Sequence, residues 1–194
     1  MTYFLDFDRT IFDTESFLPY LAGFPAMAHL KTSINAVLAK GRGTGVSSDD
    51  EREELWKTIN VLYQQGAFEF KDGELSAFVF HDAAEFLKKH GRESVIVTSA
   101  GLDNAFQKGK LKSSGVDILV LHAEFVVAGD PKGPAVKKLT ESYAGPYAFV
   151  DDLISQIDSV AHDCPEVAVY EMRRDAREGA GAYPVIESLL ELPQ

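Results

Sequence analysis

The feature that most constrains this chain is a short apolar run at its start that ends in two acids. Tyr3, Phe4 and Leu5 have the length and composition of a buried strand, and Asp6 and Asp8 follow them. Residues two apart in an extended chain point to the same side, so the two carboxylates lie next to each other where the strand stops. Like charges at close range repel, and a cation or a shared proton would relieve that repulsion. Alternatively, both acids are turn residues that end an edge strand, where Asp is common.

Composition narrows the class of protein. The 194 residues are 45% apolar and 25% charged, which is ordinary for a soluble globular protein with one good core and a modest insertion. The net charge of −11 argues against nucleic acid and anionic membranes as partners, because no large basic field is available. A single cysteine, Cys164, fits a reducing compartment. Since neither a membrane span nor a signal peptide is visible, we expect a cytoplasmic protein.

Polar residues also follow later apolar runs in the chain. The β-branched run 94–97 predicts a buried strand and ends in Thr98 and Ser99. The run 147–150 predicts another strand and ends in the acidic pair 151–152. Hydroxyls and small residues at a strand end let backbone N–H groups approach an anion closely. An ordinary turn or a helix cap also explains each of these residues taken alone.

Strands and helices alternate along most of the chain. Further strands are predicted at 117–121 and 167–170, a short hairpin-like piece at 125–128, and a closing helix at 183–192. This alternation predicts an α/β fold, a doubly wound parallel sheet with helices on both faces. Ligands bind such sheets at the carboxyl ends of the strands, and the polar residues described above all fall there.

A long stretch after the first strand has helical spacing and little strand character. Apolar residues recur at that spacing over 27–38 and again over 55–62. We therefore expect a small all-helical domain at 15–75, inserted into an α/β core domain made of 1–14 and 76–194.

Together these residues resemble the motifs of the haloacid dehalogenase superfamily, whose members are mostly phosphatases and phosphotransferases. The first motif of that family is an apolar strand followed by Asp-x-Asp-x-Thr, which matches residues 6–10. The second is a strand that ends in Thr or Ser, similar to Thr98, and the third is a Lys before a helix, similar to Lys132. The fourth is a strand that ends in an acidic pair, similar to 151–152. The first motif is specific, whereas the second and third are weak when taken alone.

The resemblance implies a fold in which the first strand is central and the fourth-motif strand lies beside it. It also implies a mobile helical cap between the first and second motifs, the position of 15–75. Lys40, Arg42 and Arg52 could reach a distal charge of the substrate, although solvated surface charges are the simpler interpretation. A cap of this type favours a small phosphorylated metabolite as the substrate.

The activity that the resemblance implies is that of a phosphatase working through an aspartyl-phosphate. Asp6 would be the nucleophile, ionised at neutral pH because its ordinary pKa is near 4. Asp8 would donate a proton to the leaving oxygen and then take one from water. Dehalogenases of the superfamily generally lack an acid at that position. Groups that would hold the phosphoryl oxygens are Thr98, Ser99 and Lys132.

Mg²⁺ is the cofactor that the resemblance implies, and it suits the residue types. The ligands would be hard oxygens, from the side chains of Asp6 and Asp151, the backbone carbonyl of Asp8, and Asp152 directly or through water. Four carboxylates and Lys132 leave a charge of about −3, which one divalent cation reduces to about −1. Without that cation, we expect such a cluster to be unfavourable for folding.

Several other functions are compatible with parts of this pattern. A phosphotransferase of the mutase type and a non-catalytic phosphate-binding member of the same superfamily both keep these motifs. A phosphate-receiving signalling domain also uses acids, a hydroxyl and a lysine, but its acidic pair comes early in the chain and it has no helical insertion. A nucleotide-cofactor enzyme would need a Gly-rich fingerprint after the first strand, which is missing here. The oligomeric state stays open.

Overall fold

Six parallel strands form one sheet in the computed structural model, which describes residues 1–41, 49–101, 104–174 and 182–193. The strand order is β3-β2-β1-β4-β5-β6, with β1 between β2 and β4 as the resemblance implies. The strands are β1 (Thr2–Leu5), β2 (Ser94–Ala100), β3 (His122–Val127), β4 (Tyr147–Asp151), β5 (Val167–Met172) and β6 (Val185–Ile186).

Seven α-helices are present in the described ranges. They are α1 (Thr14–Leu21), α2 (Lys31–Gly41), α3 (Asp49–Gln64), α4 (His81–His90), α5 (Ala105–Ser114), α6 (Gly133–Thr140) and α7 (Ile154–Asp163). Short 3-10 helices lie at Pro25–Leu30, Ser76–Phe78, Gly91–Glu93 and Leu189–Glu191.

Burial on both faces explains why β1 is apolar throughout. Tyr3 and Leu5 point into a cluster that they share with Phe17 of α1 and Phe86 of α4. Phe4 points the other way, into a second cluster that contains apolar residues of α6 and α7. Each large apolar side chain buried in this way contributes about 1.5–3 kcal/mol. Helices therefore cover both faces of the sheet, which confirms the predicted doubly wound α/β fold.

The described residues of 15–75 are helical or irregular and contain no strand. Ile34 of α2 and Ile59 of α3 are fully buried, in the same cluster that covers one face of the sheet. Gly109 of α5 lets Tyr63 of α3 approach closely, because a Cβ atom at Gly109 would overlap the Tyr63 ring. The division into a cap domain and a core domain stays a prediction. None of the helices in the described ranges combines the length and hydropathy that crossing a bilayer requires.

The prediction of a strand at 117–121 is wrong. The residues there form turns, and the Leu119 N–H donates to the Val116 carbonyl at 3.0 Å. Ile118 is 73% exposed, whereas Val120 is buried, so the apolar residues of this segment do not lie on a sheet face. The Leu121 N–H then donates to the Ser94 carbonyl at 2.9 Å, which delivers the chain to the edge of β2. Pairing with β2 consequently begins only after that point, in β3.

Two neighbouring predictions are also corrected. The piece at 125–128 is not part of a hairpin, because 125–127 belong to β3, which runs parallel to β2. The closing helix at 183–192 is replaced by β6 and a 3-10 helix. The edge of β5 offers unpaired backbone groups, and the Glu171 N–H donates to the Pro184 carbonyl while the Arg173 N–H donates to the Ile186 carbonyl, both at 2.9 Å. Strand pairing at an open sheet edge therefore outweighs the helical spacing.

Arg174 ties the first-motif loop to distant parts of the chain. Its guanidinium donates to both oxygens of Asp82 at 2.8 Å and to the Thr10 carbonyl at 2.5 and 3.2 Å. Asp82 Oδ2 also accepts from the Leu189 N–H at 2.9 Å. Burial would raise the pKa of the Asp82 carboxyl, but the hydrogen bonds and charge of Arg174 outweigh it and hold that pKa below its ordinary value. One ion pair thus joins the loop, α4 and the C-terminal segment.

We expect Asp82→Asn to lower the free energy of unfolding at pH 7 by about 2–3 kcal/mol, because Arg174 would lose a half-buried charged partner. Glu85→Gln on the same helix is the matched control. It breaks an exposed 3.2 Å pair with Lys89, and we expect a loss of about 0.5 kcal/mol or less. Urea unfolding of the two variants and the wild type measures the difference, and equal losses would contradict the assignment.

The stability difference between wild type and Asp82→Asn should also depend on pH. Although burial opposes it, Arg174 lowers the pKa of Asp82, so the contribution of this carboxylate is complete above the unfolded-state pKa of about 4. The contribution is lost as pH falls through the lowered folded-state pKa. The gap should therefore be constant between pH 7 and about pH 5 and should narrow below about pH 4. A gap that widens on acidification would refute this linkage.

Candidate active site

Four of the predicted site residues lie at the carboxyl ends of three neighbouring strands. Asp6 directly follows β1, and its N–H donates to the Val150 carbonyl at 2.9 Å, so the β1–β4 ladder continues up to the acid. Asp151 is the last residue of β4, and Asp152 follows it. Thr98 lies in β2, two residues beyond the register partner of Leu5. The parallel register therefore brings together residues that are far apart in the sequence.

Lys132 lies between two of these carboxylates. Its Nζ is 2.5 Å from Asp6 Oδ1 and 2.7 Å from Asp151 Oδ2, and all three side chains are buried. Burial alone would lower the pKa of the Lys132 ammonium, but the charges of Asp151 and Asp6 outweigh it and hold the pKa above its ordinary value. The third-motif lysine is therefore a permanent cation inside the acidic cluster.

The loop before α6 delivers Lys132 to this position. Lys132 is the N-cap residue of α6, and its N–H donates to Gln156 Oε1 at 2.8 Å. The Gly133 N–H donates to Ser159 Oγ at 2.9 Å. A Cβ atom at Gly133 would overlap the side chains of Ser159 and Asp163, so only glycine lets the loop approach α7 this closely. The Gly/Pro-rich sequence of the loop thus serves the placement of a single ammonium group.

Three carboxylates form a possible metal site. One oxygen each of Asp6, Asp151 and Asp152 lies within 4.8 Å of the others. Burial raises the pKa of Asp6 well above its ordinary value, with Lys132 opposing this and Asp151 adding to it. Burial, followed by repulsion from Asp151, also raises the pKa of Asp152 to about 6. Three hard oxygen donors whose ionisation is opposed by burial fit a divalent cation such as Mg²⁺, which would stabilise their charged forms.

Arg9 contributes a second cation to this cluster. Its Nη1 lies 3.6 Å from Asp152 Oδ2, and its side chain is 31% exposed. The Arg9 backbone has φ of 62°, a left-handed conformation that most residues avoid. That turn directs the chain away from β1 directly after Asp8. The charge of Arg9 partly opposes the raised pKa of Asp152.

Three donors hold Asp8 at both of its carboxylate oxygens. Lys110 Nζ and Thr14 Oγ1 donate to Oδ1, each at 2.5 Å, and Gln107 Nε2 donates to Oδ2 at 2.7 Å. Burial would raise the pKa of Asp8, but the charge and hydrogen bond of Lys110, with the hydrogen bonds of Thr14 and Gln107, outweigh it and lower the pKa. Asp8 is therefore an anchored, ionised carboxylate in this state, whereas burial raises the pKa of Asp6.

The two predicted hydroxyl residues differ in their surroundings. Thr98 is buried, and its Oγ1 accepts from Gln107 Nε2 at 2.8 Å, which links it to Asp8 through one amide. Ser99 is the next residue of β2, so its side chain points to the opposite face of the sheet. The structure therefore joins Thr98 to the other site residues more directly than Ser99.

Sequence reasoning missed the contribution of α5. The apolar face of this helix is interrupted by buried polar residues, so its sequence shows only weak amphipathicity. Gln107 and Lys110 are three residues apart and both are buried, beside the apolar Phe106 and Leu111. Polar residues at helical spacing within an otherwise apolar stripe were the available signal.

These cations change the expected charge of the site. Asp6, Asp8, Asp151 and Asp152 face Lys132, as the sequence predicted, and also Lys110 and Arg9. Four carboxylates and three cations leave about −1 before any metal binds, in place of the expected −3 or so. The expectation that the metal-free cluster strongly opposes folding is therefore weakened. Arg42 of the inserted segment and the side chains of Lys40 and Arg52 lie outside the described residues.

Comparisons with known proteins agree on the fold. No protein-family model matches the chain, and no curated protein sequence matches it. Among solved structures, a candidate haloacid dehalogenase-like hydrolase from Burkholderia xenovorans LB400 has a TM-score of 0.65 at 17% identity, over 100% of this chain and 98% of that one. The likeness shows that this chain has the haloacid dehalogenase-like fold, which confirms the predicted resemblance at the level of the fold.

Two further structures show the range of proteins that share this fold. The HAD-hydrolase candidate YfnB from Bacillus subtilis, solved bound to magnesium, has a TM-score of 0.58 at 17% identity, over 98% of this chain and 95% of that one. L-2-haloacid dehalogenase from Xanthobacter autotrophicus has a TM-score of 0.53 at 15% identity, over 91% of this chain and 78% of that one. The fold alone therefore does not separate phosphatase from dehalogenase chemistry.

We expect Mg²⁺ to bind more weakly as pH falls from 7 to 5. Burial and Asp151 raise the pKa of Asp152 to about 6, so protons compete with the metal for this carboxylate below that pH. The expected weakening is about tenfold over this window, measured by titration calorimetry. Asp152→Asn should weaken binding at pH 7 and reduce its pH dependence. The variant Asp158→Asn removes the same charge from an exposed position of α7 and should change neither quantity. A dissociation constant independent of pH would contradict the assignment.

Proposed function

We propose that this protein is a Mg²⁺-dependent phosphatase that hydrolyses a small phosphate ester through an aspartyl-phosphate on Asp6. The observation that carries the proposal is the meeting of buried Asp6 with Lys132 and Asp151 at the carboxyl ends of β1 and β4. A carboxylate beside a fixed cation and two further acids has the parts that phosphoryl transfer needs, which are a nucleophile, a positive charge and metal ligands.

Asp6 is the proposed nucleophile because of its position and its partners. Lys132 contacts Oδ1, which leaves Oδ2 as the oxygen that attacks phosphorus. The bond from phosphorus to the ester oxygen breaks as the new bond from Oδ2 forms. When bound to Asp6, Asp151 and Asp152, Mg²⁺ would supply positive charge that offsets the repulsion between nucleophile and phosphate. Lys132 would neutralise phosphoryl oxygens beside the nucleophile, and Thr98 would contribute a hydroxyl.

Asp8 is the proposed acid and base. It would give a proton to the leaving oxygen in the first step and take one from the water that attacks the aspartyl-phosphate in the second. Its lowered pKa in this state suits the second role. A phosphate dianion near Asp8 would raise the pKa again by repulsion between like charges, which suits the first role. In that second step the bond from phosphorus to Asp6 Oδ2 breaks, which restores the Asp6 carboxylate and frees inorganic phosphate.

Net charge supports an anionic substrate. The seven charged groups of the site sum to about −1, and one divalent cation would bring the sum to about +1. A phosphate dianion complements that charge. Asp8 favours phosphatase over dehalogenase chemistry, because it can supply the proton that a leaving alkoxide requires and a leaving halide does not. The helices of 15–75 are the proposed cap that encloses a small substrate.

The test is phosphate release from a panel of small phosphate esters, with and without Mg²⁺. We expect Mg²⁺-dependent release in the wild type and a loss of about 10³-fold or more in Asp6→Asn, since the amide cannot attack phosphorus. Asp158→Asn serves as the control for charge removal and should retain wild-type rates. Activity retained in Asp6→Asn would exclude Asp6 as the nucleophile. A folded wild type that binds Mg²⁺ but releases no phosphate would favour a binding role or a phosphotransferase.

A further inference from the structure

Lys110 is a buried cation with no place in the proposed mechanism so far. Its side chain is 1% exposed, and its Nζ lies 2.5 Å from Asp8 Oδ1. Aromatic rings surround the ammonium, with centroids between 4.9 and 6.0 Å from Nζ. These rings belong to Phe7, Phe12, Phe17, Trp56 and Phe106.

Stability alone does not account for a lysine at this position. Removing a charge from water costs several kcal/mol, and replacing a buried ion pair by apolar groups is often neutral or stabilising. A methionine of similar length would fit among the same aromatic rings. What an apolar side chain cannot provide is a donor directed at Asp8.

The geometry points to Lys110 as a positioning residue for Asp8, an inference that rests on the proposed function above. We propose that Lys110, with Gln107 as its relay, fixes the direction of the Asp8 carboxylate for proton transfer to the leaving group. The aromatic rings confine the ammonium, so the lysine holds one place. Asp8 Oδ1, held by Lys110 and Thr14, is fixed with it.

Gln107 extends this control to the second oxygen of Asp8. Its Oε1 accepts from Lys110 Nζ at 3.4 Å, which selects the orientation of the amide. The Nε2 group therefore faces Asp8 Oδ2 at 2.7 Å and Thr98 Oγ1 at 2.8 Å. Without Lys110 the amide can rotate, and both Asp8 and Thr98 lose a fixed partner. One lysine thus orders two residues of the proposed site.

A misdirected acid affects substrates unequally. An alkyl phosphate releases an alkoxide, which needs a proton as its bond to phosphorus breaks. 4-Nitrophenyl phosphate releases a stable phenolate, which leaves without one. Loss of acid positioning should therefore slow the alkyl ester far more than the aryl ester. A general loss of structure would slow both esters to the same extent.

The experiment compares kcat and KM on these two esters for Lys110→Met, Gln107→Leu, Asp8→Asn and the wild type, with Mg²⁺ present. We expect Lys110→Met to lose about 10²-fold in kcat on the alkyl ester and less than about threefold on 4-nitrophenyl phosphate, with KM nearly unchanged. Gln107→Leu should show the same pattern with a smaller loss of kcat on the alkyl ester. The loss in Asp8→Asn sets the upper limit for both variants. Lys112→Met on the same helix removes an exposed lysine paired with Asp72 and should match the wild type.

The outcomes separate failure of the inference about Lys110 from failure of the proposed function. Equal losses on both esters, or none, in Lys110→Met and Gln107→Leu would overturn the inference and leave the proposed function intact. If Lys110→Met does not fold, Gln107→Leu alone decides by the same ratio. A wild type that hydrolyses no ester of the panel with Mg²⁺ would overturn the proposed function, and the inference with it.

Discussion

The contact of the Lys132 ammonium with Asp6 and Asp151 is the interaction on which the rest of the site depends. Two carboxylates at the ends of adjacent parallel strands, both out of water, would repel each other strongly without a cation between them. Lys132 supplies that cation from a loop that only Gly133 allows to approach α7. The central strands can therefore end in acids and still pack into a sheet that helices cover on both faces. A metal ion would then join a cluster that is already partly neutralised.

The site contains a second and distinct pairing of charge, between Lys110 and Asp8. The two lysine–aspartate pairs differ in the pKa of the acid. Burial raises the pKa of Asp6 despite Lys132, whereas Lys110 and its neighbours lower the pKa of Asp8. Two carboxylates only two residues apart thus acquire opposite protonation behaviour from their surroundings. In the metal-free site these directions oppose the proposed roles, because a nucleophilic carboxylate must be ionised and a general acid must be protonated. A divalent cation would favour the ionised form of Asp6, and a phosphate dianion would raise the pKa of Asp8, so the proposed roles rest on position and contacts.

The fold and the acids at its strand ends could be predicted from the sequence because the signals are local. A buried strand appears in the sequence as a short apolar run. An acid that directly follows such a run lies at the carboxyl end of the strand, where ligands bind parallel sheets. Lys110 could not be found in this way, since a buried polar residue in a helix looks like weak amphipathicity. The Arg174–Asp82 pair joins residues far apart in sequence, and no local pattern reports such a contact. The prediction at 117–121 is wrong for a related reason, because a short apolar run does not by itself distinguish a buried strand from turns.

The position of Trp56 has a consequence for how this protein can be studied. It is the single tryptophan of the chain, it lies on α3, and its ring is 6.0 Å from the Lys110 ammonium and 6.1 Å from the Phe106 ring. The intrinsic tryptophan fluorescence of the protein therefore has one origin, at the point where α3 meets α5. Indole emission responds to nearby charge and to hydration, so displacement of α3 from α5 changes its wavelength and intensity. The native chain thus carries an optical reporter beside its candidate active site, with no label required.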